Sequence, residues 1–250
     1  MKKKTRRIII LLFSALIICA SFILLYLNFT KTTKEEEPAP QEIIVKEEDK
    51  KEVEIEENET IKMSPDTDLE AERINHNNND IVGRLEIPDL FNILIVRGTD
   101  NSYYLDHGID SKKYEYKGSE FLDYRLDVNS KQLNFYGHNT VDKSINVPFL
   151  KLEQFLDKNF FDNNQYIIFQ FDGGKKIYKI AAIKEITTDY EHMDVFYTGN
   201  DFVNHVNKLT SDTIFKRDVP YNPDSEIIVL QTCSHHLKDA YYIITGIRIK

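Results

Sequence analysis

Glu226-Ile227-Ile228-Val229-Leu230-Gln231-Thr232-Cys233 is the stretch from which the fold can be read. A short apolar run rich in β-branched residues reads as a strand, and Cys233 lies at its end. The other cysteine, Cys19, falls in an apolar N-terminal segment, so the folded part of the chain has one thiol and no intramolecular disulfide. A single thiol at a strand end, with His138 upstream in Tyr136-Gly137-His138-Asn139, is a candidate nucleophile with a candidate acid–base partner.

Strand signals dominate on either side of that run. Candidates are Ile81–Ile87, Asn92–Arg97, Glu120–Tyr124, Gln132–Tyr136, Gln165–Phe171, Lys176–Ile186, Glu226–Thr232 and Ala240–Ile249, rich in Ile, Val, Tyr and Phe. Turn residues such as Asp172-Gly173-Gly174 separate them. Helical signals are fewer. They cover Asp66–Asn75, Val147–Leu156 with Phe149, Leu150, Leu152 and Phe155 at helix-like spacing, and Asp201–Phe215 with Phe202, Val203, Val206 and Leu209 on one face. The pattern predicts a mainly β fold, a closed and mainly antiparallel barrel with helical decoration.

The first seven residues carry Lys2, Lys3, Lys4, Arg6 and Arg7, and no charge follows from Ile8 to Leu27. About 20 apolar residues suffice to cross a bilayer, and a basic flank stays in the cytoplasm. Residues 1–7 therefore read as a cytoplasmic tail and 8–29 as a transmembrane signal-anchor, with the remainder outside the cell. A cleavable signal would have a shorter apolar region and a small-x-small site, and a lipoprotein signal a small residue where Ile18 stands.

Residues 30–65 read as an acidic tether. From Lys34 to Thr60 twelve acids face four lysines, with Pro38 and Pro40 and few apolar residues, so the segment stays solvated and extended. Residues 66–250 are enough for one domain with its own core. The whole chain carries −9, and residues 61–250 carry −7, without a basic stripe, which argues against nucleic acid as a partner.

Acyl transfer by a thiol requires the nucleophile, an acid–base group and donors for the oxyanion. Cys233 and His138 can supply the first two. Taken alone, Cys233 is equally a buried structural thiol, and His138 a hydrogen-bonded loop histidine. Cys233, His235 and His236 invite a metal reading, but consecutive histidines on an extended segment point apart, and neither a carboxylate cluster nor Cys-x-x-Cys supports it. Neither a P-loop nor a dinucleotide fingerprint is present, and nothing calls for a cofactor.

At these residues the chain resembles the sortases, and among them class B. The resemblance runs from about Asp80 to the C-terminus. It is carried in order by Ile81-Val82-Gly83-Arg84-Leu85-Glu86-Ile87-Pro88, Asp100-Asn101-Ser102-Tyr103-Tyr104-Leu105-Asp106-His107, Gly118-Ser119-Glu120-Phe121-Leu122-Asp123, Asn134-Phe135-Tyr136-Gly137-His138-Asn139 and Thr232-Cys233. The N-terminal anchor fits as well. The resemblance implies a closed eight-stranded barrel with an N-terminal helix and a helix in the long connection before the last two strands. It also implies a metal-independent cysteine transpeptidase. Cys233 would cleave a C-terminal sorting signal of secreted proteins after a threonine, and a peptidoglycan precursor or another amine would resolve the thioacyl enzyme. His138 would serve as acid and base. Asn101, Leu105, Tyr136 and Thr232 would line the substrate groove.

The sequence departs from the family at a third catalytic position. Class B sortases carry an arginine early in the last strand, where this chain reads Ala240-Tyr241-Tyr242. Tyr241 is the candidate substitute, because a phenol can donate a hydrogen bond to an oxyanion. Arg125 or Arg217 is an alternative source, whereas strand alternation puts Arg248 on the face opposite Tyr241. Two other functions stay open. One is a catalytically impaired module that binds sorting signals without turnover; the other is a hydrolytic cysteine peptidase.

Overall fold

A computed structural model describes residues 61–110, 112–142, 144–187 and 193–250. The expected tail, the span at 8–29 and the tether up to residue 60 lie outside the described residues. No helix among the described residues is long and apolar enough to cross a membrane. Glu59–Lys250 forms one unit by its internal contacts.

Among the described residues nine strands form one sheet: β1 (Ile81–Ile87), β2 (Phe91–Val96), β3 (Phe121–Leu122), β4 (Gln132–Tyr136), β5 (Tyr166–Phe171), β6 (Gly174–Thr187), β7 (Phe215–Lys216), β8 (Ile227–Ser234) and β9 (Ala240–Arg248). The order is β5-β1-β2-β3-β4-β8-β9-β6-β7, and a further β5–β6 pairing closes the first eight into a barrel. The closed eight-stranded barrel expected from the sequence is therefore present, with two-residue β7 hung on β6. Pairing is antiparallel except for β2–β3 and β4–β8.

Alternation along the strands separates two apolar layers. Leu133 and Phe135 of β4, Ile228 and Leu230 of β8 and Ile244 of β9 fill the barrel with Phe149, Leu152 and Phe155. The intervening Ile227, Val229, Ile243 and Ile247 form a second cluster with Phe202, Val206 and Leu209. Those last three belong to α3 (Gly199–Leu209), preceded by α1 (Leu69–Asn75) and α2 (Lys158–Asn163). Asp68 caps α1 by accepting from Ala71 N at 3.0 Å, and Asp157 caps α2 by accepting from Phe160 N at 2.9 Å.

Two helical expectations are corrected. Pro148–Leu156 is a 3-10 helix. Its fully buried residues, Phe149, Leu152 and Phe155, recur every three positions, which matches the eclipsed i, i+3 ridge of that helix. The helix expected to reach Phe215 stops at Leu209. Lys184 of β6 donates to the carbonyls of Lys208 and Ser211 at 3.1 and 2.8 Å, which stabilises the free C-terminal end and releases Phe215 to pair as β7. The chain engages the barrel before residue 66: Ser64 N–H and Oγ both donate to the Glu86 carboxylate of β1, at 3.0 and 2.9 Å.

Candidate active site

The parallel pairing of β4 with β8 builds the site. Tyr136 is the register partner of Gln231, and antiparallel β9 sets Tyr241 opposite Cys233. Directly opposed residues project to one face, so Tyr136, Gln231, Cys233 and Tyr241 share a face, and Thr232 points the other way. His138 follows two residues after Tyr136, beyond the end of β4.

These side chains line a cavity of about 260 Å3 together with Asn101, Leu105, Phe121, Gly137, Met193 and Thr232. All seven residues singled out in the sequence thus border one cavity. The lining is largely apolar, and Leu105 and Met193 present large exposed side chains, at 39% and 40% of full accessibility.

The polar groups are held in distinct ways. Nε2 of His138 lies 2.6 Å from the Leu105 carbonyl oxygen. A carbonyl only accepts, so Nε2 carries a hydrogen, and Nδ1 is the nitrogen left to take up or release a proton. Leu105 itself is fixed by a 3-10 turn, Tyr103–Leu105. Asp100 supports the turn by accepting from the backbones of Ser102 and Tyr103 at 2.8 and 2.7 Å. Burial pushes the Cys233 thiol up from its ordinary range, so the thiol is neutral at neutral pH. Thr232 is 1% exposed, and its hydroxyl donates to the Gly137 carbonyl at 2.9 Å.

Beneath the cavity lies a fully buried carboxylate, Asp123. It accepts from the Tyr136 hydroxyl at 2.9 Å and from Nε and Nη2 of Arg125 at 2.9 and 2.7 Å. Burial alone would raise Asp123, but the Arg125, Tyr136 and Asn101 hydrogen bonds outweigh it and hold the carboxyl below its usual value. Arg125 also donates to the Met193 carbonyl at 2.7 Å, tying the long connection before α3 to the site. On the barrel side, burial raises the Glu120 carboxyl to about 7 despite hydrogen bonds from its own backbone and that of Phe149.

The arginines weighed for the third position are all engaged elsewhere. Arg248 pairs with Glu226 and lies at the far end of β9 from Tyr241, opposite Tyr178 of β6. Arg217 donates to the carbonyls of Ile180 and Phe161. Arg125 is committed to Asp123 and Met193 and does not line the cavity. Tyr241 lines it, and its hydroxyl has no partner among the described residues.

Gln231, Phe121, Met193 and the Asp123–Arg125 pair escaped the sequence reading. Gln231 had a signal, because it precedes Cys233 by two residues and so shares its face. Met193 had none, since no strand or helix pattern in the sequence covers it. Among the described residues no group of three or more His, Cys, Asp or Glu side chains could hold a metal ion.

A closed eight-stranded barrel with a cysteine and a histidine at the ends of adjacent parallel strands defines the sortase architecture. The solved structures it resembles include class B sortases. Sortase B of Clostridium perfringens matches with a TM-score of 0.66 and 24% identity, over 72% of this chain and 100% of that one. Sortase B of Listeria monocytogenes matches with a TM-score of 0.62 and 27% identity, over 72% and 99%. A Staphylococcus aureus sortase B–substrate complex matches at 0.65 and 22%, over 73% and 84%. No protein-family profile matches the sequence, and no curated protein matches it. The chain therefore has the class B sortase fold.

Proposed function

We propose that this protein is a sortase B-like cysteine transpeptidase, held at the outer face of the cell membrane by residues 8–29. The observation that carries the reading is the placement of Cys233, His138 and Tyr241 around one largely apolar cavity on this fold.

In the proposed reaction a secreted protein lays its C-terminal sorting signal along Asn101, Leu105 and Tyr136. Sγ of Cys233 attacks a threonine carbonyl as the thiol proton passes to His138. The imidazolium gives that proton to the departing amine, the peptide bond breaks, and a thioester remains on Cys233. An amine from a peptidoglycan precursor or another protein then attacks the thioester. His138 removes its proton and returns it to sulfur, and a new amide is released. Tyr241 donates its hydroxyl hydrogen to the oxyanion in both steps. A phenol carries no charge, so the stabilisation is smaller than a guanidinium gives.

The test is mass spectrometry of the chain with peptides bearing class B-like sorting motifs and hydroxylamine, with Cys233→Ala alongside. Cleavage after threonine with a hydroxamate product, absent in the variant, supports the transpeptidase. Cleavage unaffected by added amine would make it a hydrolase. Binding without an acyl enzyme would make it a sorting-signal-binding module.

A further inference from the structure

We propose that Asn139 is a positioning residue that sets Cys233 in register with His138. The inference rests on the cysteine–histidine reading above. Asn139 follows His138 directly, is 7% exposed, and has no part in the reaction just described. Its Nδ2 donates to the backbone carbonyl of Cys233 at 2.8 Å and to Oε1 of Glu153 at 2.7 Å. A primary amide nitrogen carries two hydrogens, so both are committed. Its Oδ1 accepts from Thr140 N at 2.8 Å. The network admits one orientation of the amide, because flipping it would set Oδ1 against two acceptors.

Glu153 transmits the rigidity of the core to this amide. It belongs to the 3-10 helix Pro148–Leu156, whose Leu152 and Phe155 are packed inside the barrel. The contact sequence runs from the core through Glu153 and Asn139 to the Cys233 carbonyl. A second link lies on the other side of His138, where the Thr232 hydroxyl holds the Gly137 carbonyl. His138 is therefore bracketed by two residues, each tied to the Thr232-Cys233 dipeptide.

This matters because the strand ladder is ending here. β4 stops at Tyr136 and β8 at Ser234. Beyond Tyr136 the main-chain link to β8 is Gly137 N–H donating to the Gln231 carbonyl at 3.2 Å. Side-chain bonds thus take over from the ladder where the two reacting groups sit. A misplacement of about 1 Å in such a site can lower the rate on the order of a hundredfold.

The experiment compares full-length wild type, Asn139→Ala, Asn139→Asp and Glu153→Gln. One measurement is iodoacetamide labelling of Cys233 against pH, read by peptide mass mapping to separate it from Cys19. The other is kcat and KM on a cleaved peptide. Asn139→Ala should lower kcat on the order of a hundredfold while KM stays within about twofold. Its labelling midpoint should fall toward the free-thiol value of about 8.5, as the strand end loosens and the thiol gains water. Asn139→Asp keeps the shape and loses both donors, so it should behave likewise if the alanine variant does not fold. Glu153→Gln should show a smaller change in the same direction. Wild-type kcat with a wild-type labelling profile in the Asn139 variants would overturn the proposal, as would a rise in KM alone. If the wild type turns over no peptide, the transpeptidase reading fails, and the labelling profiles still decide the role of Asn139.

Discussion

Cys233 and Tyr241 are register partners across β8 and β9, and both residues border the same cavity. Tyr241 is the residue proposed to take, with a neutral hydroxyl, the role that the class B resemblance gives to a guanidinium. Tyr241→Phe should reduce kcat, by up to the hundred- to thousandfold that losing an oxyanion donor costs. Tyr241→Arg should match or exceed wild-type turnover. Steady-state kinetics on a cleaved peptide decide the point, and full activity in Tyr241→Phe would remove Tyr241 from the reaction.

Burial raises the Cys233 thiol above its ordinary value. An acid whose pKa is raised in the folded state keeps its proton as pH climbs, so thiolate forms later than in a free cysteine. Alkylation of Cys233 in the wild type should therefore rise with pH, with a midpoint above about 8.5. Turnover should also increase from pH 7 to 8.5. A thiol labelled at full rate at pH 6 would contradict this.

Glu120 is 8% exposed, and burial lifts its carboxyl to about 7. The unfolded chain releases this proton near pH 4.3, so between there and about 7 the folded state binds more protons. The contribution of Glu120 to stability is then complete below about pH 4 and is lost as pH rises through 7. At about 1.4 kcal/mol per pH unit, the loss is on the order of 4 kcal/mol. Chemical denaturation at pH 5 and pH 8 should show Glu120→Gln with a flatter pH dependence than wild type. Equal slopes would show that Glu120 does not titrate in this range.

Gly137 allows the chain to pass close over the barrel core before His138. A Cβ there would come within 2.7 Å of the Phe149 ring and 2.8 Å of Glu120 Cγ. Gly137→Ala should destabilise the fold by about 1–3 kcal/mol, as overpacking does, and displace His138. Thermal unfolding with peptide turnover tests both. An unchanged Tm would mean that the Phe149 ring moves aside at little cost.

The β1 and β4 boundaries, Ile81–Ile87 and Gln132–Tyr136, were legible from apolar patterning and flanking turn residues. The short α2 and the two-residue β7 were not. β7 exists only because β6 offers it an edge, and α2 rests on a cap and on packing of Phe161 into the core. The same contrast runs through the site. Cys233, His138 and Tyr241 could be singled out as chemistry-bearing residues in suggestive motifs. Asn139 stood in a quoted motif, yet its role depends on a carbonyl 94 residues away.

Local patterning in the chain was enough to mark the eight barrel strands, the side-chain alternation along each, and the residues able to do thiol chemistry. These follow from local patterning, whose period is set by the backbone of a single strand. Long-range pairing had to establish that β4 lies parallel to β8, that Tyr241 falls opposite Cys233, and that Gly137 and Asn139, on either side of His138, are tied to Thr232 and Cys233. Strand neighbours and register come from hydrogen bonds and packing between distant segments, and a one-residue slip would send every side chain of a strand to the other face.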